Sequence, residues 1–250
     1  METTIRETFV LPSKGKVYGE PFDPHVTLRS MTTLEEMKRL SHGDSEYRTM
    51  ATIIEDCLEK PLPISVYDLC LGDYQFLLHK LRVVTYGTEY NMTMQCPVCG
   101  EIVSTTVDLD DLEVHEFDEE TFGSMELELP VSKKTITLTL QTPRMLDKVK
   151  EQAKEARRKT KDEYLNFEVL YGTMAFIAKV DGKRLDEIQL ETFVRRLPMK
   201  DVYAIIQKGD ALNRKVGMDA EVTAECKECG AESVVPFRVQ SEFYGPTISL

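Results

Sequence analysis

Four cysteines stand in two short motifs far apart in the chain, Cys96-Pro97-Val98-Cys99-Gly100 and Cys226-Lys227-Glu228-Cys229-Gly230. Each is a Cys-x-x-Cys-Gly knuckle between strand-like runs. Two thiolates from each make a four-sulfur set, the ligation a structural zinc prefers. Glycine after the second cysteine permits the bend that turns the chain back with its amides toward the sulfurs. A set filled by sulfur leaves no open position for water. The chemistry expected of Cys96, Cys99, Cys226 and Cys229 is therefore architectural, with one ion tying two distant segments together.

Two other readings of the knuckles compete. A redox dithiol site opens a helix after a strand, whereas both pairs here have strand-like runs on each side. Two separate metal sites would need further ligands beside each knuckle. His115 is the only histidine within reach in sequence, and the second half contains none. The remaining cysteines read as buried thiols: Cys57 lies on a helical stripe with Met50, Ile53, Ile54 and Leu58, and Cys70 sits between Leu69 and Leu71.

No other constellation assembles an enzyme site. His25, His42, His79 and His115 form no His-Glu-x-x-His pair and no nucleophile elbow. Leu11-Pro12-Ser13-Lys14-Gly15-Lys16 lacks the first glycine and the final Ser or Thr of a phosphate loop. Asp110-Asp111 and Glu119-Glu120 read as solvated loop charge. The expectation is a protein that is not an enzyme.

Composition narrows the partners. The 250 residues carry a formal charge of −12, which argues against nucleic acid and against an anionic membrane surface. Both knuckle hairpins are acidic, with Glu101, Asp108, Glu225, Glu228 and Glu232 against the lone loop cation Lys227. No apolar run is long enough to span a bilayer, and Met1 to Glu7 shows no secretory signal. Synthesis in a reducing cytoplasm is expected, where paired cysteines serve as metal ligands rather than disulfides.

The elements that must position the knuckles can be read from periodicity and turn chemistry. In the first half, strands are expected at Thr8–Leu11 and His25–Leu28. A short helix follows with Thr33 and Glu36 as its capping box, then a longer one from Glu46 to Leu58. Asp68 lies in a short helical turn. Asp73 is read as the cap of a strong helix with Tyr74, Leu77, Leu78, Leu81 and Val84 at helical spacing, stopped by Gly87. Strands at Tyr90–Gln95 and Ile102–Val107 flank the first knuckle. The acidic stretch Leu112–Gly123 reads as a linker.

The second half repeats this order. Met125–Leu129 and Thr135–Leu140 alternate as strands, and Thr142-Pro143 opens a helix bearing Met145, Leu146, Val149 and Ala153. A further helix is expected to carry Phe167, Leu170, Tyr171, Met174, Ile177 and Ala178. Asp181-Gly182 marks a tight hairpin. Two more helices, with Leu190, Phe193 and Val194 and with Val202, Ile205 and Ile206, precede strands at Ala220–Glu225 and Ser233–Val239 around the second knuckle. Phe243 and Tyr244 form an aromatic tail.

Val26 to Thr32 resembles Ile136 to Thr142, and Asp73 to Leu78 resembles Asp201 to Ile206. The fold class expected is α+β. It comprises two similar lobes, residues 1–121 and 122–250, arising from a divergent internal duplication. Each supplies half of a zinc-ribbon-like four-cysteine site.

Leu11 to Tyr18, Val26 to Glu36 and Asp73 to Gly87 together resemble the T4-type bacteriophage baseplate hub protein family. A Leu-Pro-Ser-Lys-Gly turn, a Leu-Arg-x-Met-Thr strand and an Arg-to-Tyr-Gly helix end precede the cysteines there too. The resemblance implies a non-enzymatic hub subunit or a factor that assists hub or tail assembly. Its partners would be other baseplate or tail proteins, and homo-oligomerisation is left open. It would be present in host cytoplasm during assembly and then in the tail baseplate of the virion. The alternatives are an assembly chaperone or zinc-ribbon adaptor absent from the particle, and a dithiol oxidoreductase. The helices and the Phe243-Tyr244 tail are expected to supply protein-binding surfaces.

Overall fold

A proline-containing turn between two short strands starts the chain. In the computed structural model, which describes residues 4–41, 45–160, 165–218, 221–236 and 243, β1 (Arg6–Val10) pairs antiparallel with β2 (His25–Arg29), Phe9 opposite Val26. The turn after β1 puts Lys14 and Gly15 at positive φ, 53° and 67°. Gly15 is required there, since a Cβ would stand 2.2 Å from the Phe22 carbonyl oxygen.

The cap of helix α1 (Thr33–Arg39) falls one residue earlier than predicted. Thr32 is the N-cap and Glu35 closes the capping box. The shift follows burial: Glu35 is fully buried and turns inward to Arg29 at 2.9 Å, whereas Glu36 is only partly covered and pairs with Arg39 at 2.5 Å. Helix α2 (Glu46–Cys57), capped by Ser45, buries Met50, Ile53, Ile54 and Cys57. The chain then returns along β2, where Leu58 bridges Leu28 and the Glu59 amide donates to the Thr27 carbonyl at 3.0 Å. A 3-10 turn at Val66–Asp68 leads to α3 (Leu71–Tyr86), which ends at Gly87 with φ 89°. Asp73 does not cap this helix. Cys70 holds the cap position, and Asp73 is buried, bonded to the β1–β2 turn instead.

The hairpin β3 (Glu89–Gln95) and β4 (Ile102–Asp108) presents the first knuckle. The stretch read as a linker is built into the fold. After a 3-10 turn at Leu109–Asp111, β5 (Val114–His115) pairs with a strand of the second half, and α4 (Glu119–Phe122) follows. Leu112 and Phe122 are buried, so the few apolar side chains of an acidic segment anchor it while its carboxylates face outward.

In the second half, β6 (Glu126–Glu128), β7 (Thr135–Leu138) and, two helices later, β8 (Ile177–Val180) form an antiparallel sheet in the order β6-β7-β8. Between them lie α5 (Pro143–Thr160) and α6 (Phe167–Met174). The predicted helix through Ile177 and Ala178 ends at Met174 instead. The Phe176 amide tightens the last turn by donating to Thr173, and the next residues pair with β7. Asp181-Gly182 makes the expected tight turn at φ 48° and 74°. Helices α7 (Glu187–Arg195) and α8 (Met199–Asn213) follow, then β9 (Gly217–Met218), paired to β5, and the hairpin β10 (Glu221–Glu225) with β11 (Glu232–Pro236).

The result is α+β, helices packed on small antiparallel sheets, with two apolar clusters. One gathers Leu11, Leu28, Ile53, Ile54, Leu77 and Leu81; the other Leu129, Ile136, Leu138, Ile205 and Leu212. They interlock: Cys70 belongs to the second cluster and Phe243 to the first. Phe243 is fully buried, its ring 4.9 Å from that of His79 and 5.4 Å from that of Tyr90, so it is core and not the exposed anchor expected of the tail. His42, Ala220, residues 237–239 and Tyr244 lie outside the described residues.

Helix α5 carries the polar seam between the halves. Arg144 binds Asp68 through two bonds of 2.5 and 2.8 Å and lies over the Tyr67 ring at 4.5 Å. Asp147, buried, accepts from the Tyr67 hydroxyl at 2.7 Å and from the Ser45 hydroxyl. The Lys150 ammonium sits 4.8 Å from the Tyr47 ring centre.

Candidate metal centre

Each knuckle is a tight turn closing a two-stranded hairpin, and the two are built alike. In the first, the Cys96 amide donates to the Glu101 carbonyl at 2.8 Å and the Gly100 amide to the Cys96 carbonyl at 2.9 Å. In the second, Cys226 donates to Ala231 at 2.9 Å and Gly230 to Cys226 at 2.8 Å. Gly100 and Gly230 take φ of 79° and 68°, which a side chain rarely tolerates. Cys96 and Cys226 are buried, and Cys99 and Cys229 are exposed at the rim.

The fold brings the knuckles face to face. The Cys96 and Cys229 sulfurs are 3.8 Å apart and those of Cys99 and Cys226 3.7 Å apart. All four Sγ atoms lie within 4.8 Å of one another. A disulfide requires about 2.05 Å, so the thiols are free. A tetrahedron of sulfurs about 2.3 Å from a central ion has an edge of about 3.8 Å, which the two shortest separations match. The four residues singled out from sequence are brought together, and their donor set fits a metal ion.

The local charge chemistry agrees. The backbone amides of Cys99 and Val98 point at Cys96 Sγ, Val98 at 3.4 Å, and pull its thiol down to about 6. Cys99 is held up at about 12: the Glu101 amide favours its thiolate, but desolvation and the neighbouring Cys229, Cys96 and Cys226 thiols outweigh that. Four sulfurs this close accommodate a thiolate among thiols. A divalent cation is what allows all to ionise together.

The other cysteines are packing residues, as their sequence context suggests. Cys57 and Cys70 are buried, and burial pushes both thiols up to about 12. The sequence reading missed a buried polar cluster beside Cys70. Asp73 accepts from the Ser13 amide at 2.9 Å, from the Ser13 hydroxyl, and from the Tyr18 hydroxyl at 2.6 Å. The Tyr18 hydroxyl also lies 3.5 Å from Cys70 Sγ. Burial raises Asp73 and raises Tyr18 far above its ordinary value. The helical spacing around Asp73 pointed to a cap, and nothing local marked its long-range partner.

The order of elements, the Leu11 to Tyr18 turn and the knuckles meet in one comparison. The family model described as T4 bacteriophage base plate protein matches residues 2–244. The chain belongs to this family. The match runs over both halves of the baseplate protein and includes all four cysteines of the candidate centre. Neither the curated proteins nor the solved structures give a match to it. Among the described residues of this baseplate protein, no helix is long and apolar enough to cross a membrane.

Proposed function

We propose that this baseplate protein is a non-enzymatic hub component, held in shape by one structural zinc shared between its two knuckles and acting through contacts with other baseplate or tail proteins. The observation that carries the reading is the facing pair of knuckles inside a family of baseplate proteins. Cys96, Cys99, Cys226 and Cys229 are the ligands. Zinc is favoured because four thiolates in a closed tetrahedral set suit it and leave no position for catalysis.

The two halves, residues 1–121 and 122–250, are read as products of an internal duplication. The supporting observation is a similar path: two paired strands, two helices, a return along the second of those strands (a single bridge at Leu58 in the first half, β8 in the second), a short helical element (the Val66–Asp68 turn or α7), then a longer helix ahead of a knuckle. Leu28 meets Leu58 on that return in the first half, and Leu138 meets Ile177 in the second.

The test is mass spectrometry of salt-washed particles from the phage that encodes the chain, with copies counted against the tail-tube protein. A fixed copy number is the expected result. Presence in infected lysate with absence from particles would instead make it an assembly chaperone that departs.

A further inference from the structure

Thr32 caps α1, and Thr142 Oγ1 accepts the Met145 amide at the start of α5. Counting from these two threonines pairs the helices residue by residue. The residues of α5 that reach the first half, Arg144, Asp147 and Lys150, fall at the second, fifth and eighth positions. In α1 and its cap the same positions are Leu34, Met37 and Leu40, exposed at 58%, 64% and 46%. The charges of α1 are satisfied within the chain: Glu35 by Arg29, Lys38 by Asp56, and Arg39 by Glu36. What this helix offers outward is an apolar stripe at i, i+3 and i+6.

The receiving surfaces differ in the same sense. In the first half, the seat for α5 is the first turn of α2 together with Tyr67 and Asp68, just ahead of α3. In the second half, the corresponding place is the first turn of α6 and the residues just ahead of α8. There an open groove of about 370 Å³ is lined by Leu165, Phe167, Val169, Val194, Leu197 and Met199. Leu165, Val169 and Met199 are 48%, 42% and 53% exposed. Arg195 at its edge is already paired with Glu191 at 2.7 Å. A polar helix face thus meets a polar seat inside the chain, while among the described residues an apolar helix face and an apolar seat are both left open.

We propose that the groove between α6, α7 and α8 receives the Leu34–Met37–Leu40 stripe of a second copy of this chain. The contact would repeat between molecules the one α5 makes within the molecule. It is head-to-tail, so it adds copies until a ring closes. The inference rests on the equivalence of the two halves, and not on the metal or on residence in a particle, so the outcome of its test stands apart from both.

Sedimentation velocity of the full chain tests it. The mass should rise with concentration. Met37→Glu on the helix and Met199→Glu in the groove should each be monomeric alone. Mixed, they should form a one-to-one pair and nothing larger, because only one intact helix and one intact groove remain between them. Leu34→Lys and Val169→Lys, also at exposed positions, form a second set that should behave alike, with melting temperatures checked for both sets. A wild-type chain monomeric to about 1 mM would overturn the proposal. So would association that survives either substitution, or a mixture that fails to pair.

Discussion

Asp201 holds in the second half the place that Asp73 holds in the first. Each is the third residue of its helix, and each carboxylate clamps the turn that follows the first strand of its half. Asp73 accepts the Ser13 amide at 2.9 Å; Asp201 accepts the Val131 and Ser132 amides at 2.8 and 2.9 Å. Both turns begin Leu-Pro and contain a lysine at positive φ, Lys14 at 53° and Lys133 at 58°. A carboxylate is suited to this because its two oxygens can take several donors at once.

The two clamps should differ in strength. Removing Asp73 strands the Ser13 amide and hydroxyl and the Tyr18 hydroxyl, whereas removing Asp201 strands two amides. Asp73→Ala should lower stability by about 2–4 kcal/mol and Asp201→Ala by about 1–2 kcal/mol, read from urea denaturation. Equal losses would contradict the difference in partners. The carboxyls also differ electrostatically. Burial raises Asp73 despite its bonds, while at Asp201 burial is outweighed by the Val131 and Ser132 amides, which hold it below its usual range.

Much of this fold is legible in the sequence because it is written in local chemistry. Asp181-Gly182 specifies its turn, Gly87 ends its helix, and the knuckle glycines bend where they must. The errors fall where a distant partner decides. Asp73 reads as a cap from its neighbours and becomes a clamp only because Ser13 arrives beside it. Thr33 and Glu36 satisfy the capping pattern as well as Thr32 and Glu35 do, and Arg29 from another element selects between them. Phe243 reads as an exposed tail aromatic until His79 and Tyr90 enclose it. The Leu112–Gly123 stretch looks like a linker because its charge dominates, although Leu112 and Phe122 anchor it. The four cysteines were legible for the opposite reason: their spacing and glycines carry the geometry within each knuckle.

Gly72 packs α3 tightly against the backbone of the second half at Val216 and Gly217. A Cβ there would lie 2.0 Å from the Val216 carbonyl oxygen and 3.1 Å from Gly217 Cα. These are backbone atoms, which cannot swing aside as a side chain can. In an exposed helix Gly→Ala would add stability, yet here it should cost about 2–3 kcal/mol through overpacking. Gly172, with no atom of the described residues within 4 Å of a Cβ, is the matched control, and Gly172→Ala should be neutral or stabilising. Thermal melting of the two variants gives the comparison. A Gly72→Ala protein as stable as wild type would mean that α3 and β9 are not in contact.

Acid should destabilise the protein in two separable steps. His79 is buried and its pKa is lowered to about 4 by burial, with Lys80 and Arg82 adding to the effect. Above pH 6.5 both states hold it neutral. As pH falls from 6.5 toward about 4, the unfolded chain takes up a proton that the folded chain refuses, so stability drops, by an amount on the order of 3 kcal/mol. Glu35 is lowered to about 2, chiefly by its bonds from Arg29, with Thr32 contributing. Its contribution is complete above pH 4.5 and is lost as pH falls toward about 2. Urea melts at stepped pH should show both limbs. His79→Leu should flatten the upper one and Glu35→Gln the lower one, each leaving the other in place. A single limb that neither variant alters would assign the acid sensitivity elsewhere.

The proposed shared zinc would make the two knuckles interdependent, and that separates it from two independent sites. Cys96→Ser and Cys226→Ser lie in different halves, yet each would remove a ligand from the same tetrahedron. Each should therefore abolish the whole zinc content, measured by atomic emission on the purified chain. Separate sites would lose half with each substitution. Cys57→Ser, at a buried thiol outside the cluster, should keep the full metal content. Stability should follow the metal: loss of about 3 kcal/mol corresponds to a fall in melting temperature of roughly 6–12 °C in a chain of this size, and chelation of the wild type should reproduce it. The two apolar clusters do not depend on the ion, so the metal-free chain should retain its helical circular dichroism at low temperature. The knuckle hairpins should instead lose amide protection from hydrogen exchange first, since a two-stranded hairpin has little to hold it once its sulfurs are released. Hairpins equally protected with and without metal would show that the four sulfurs converge for reasons of packing alone.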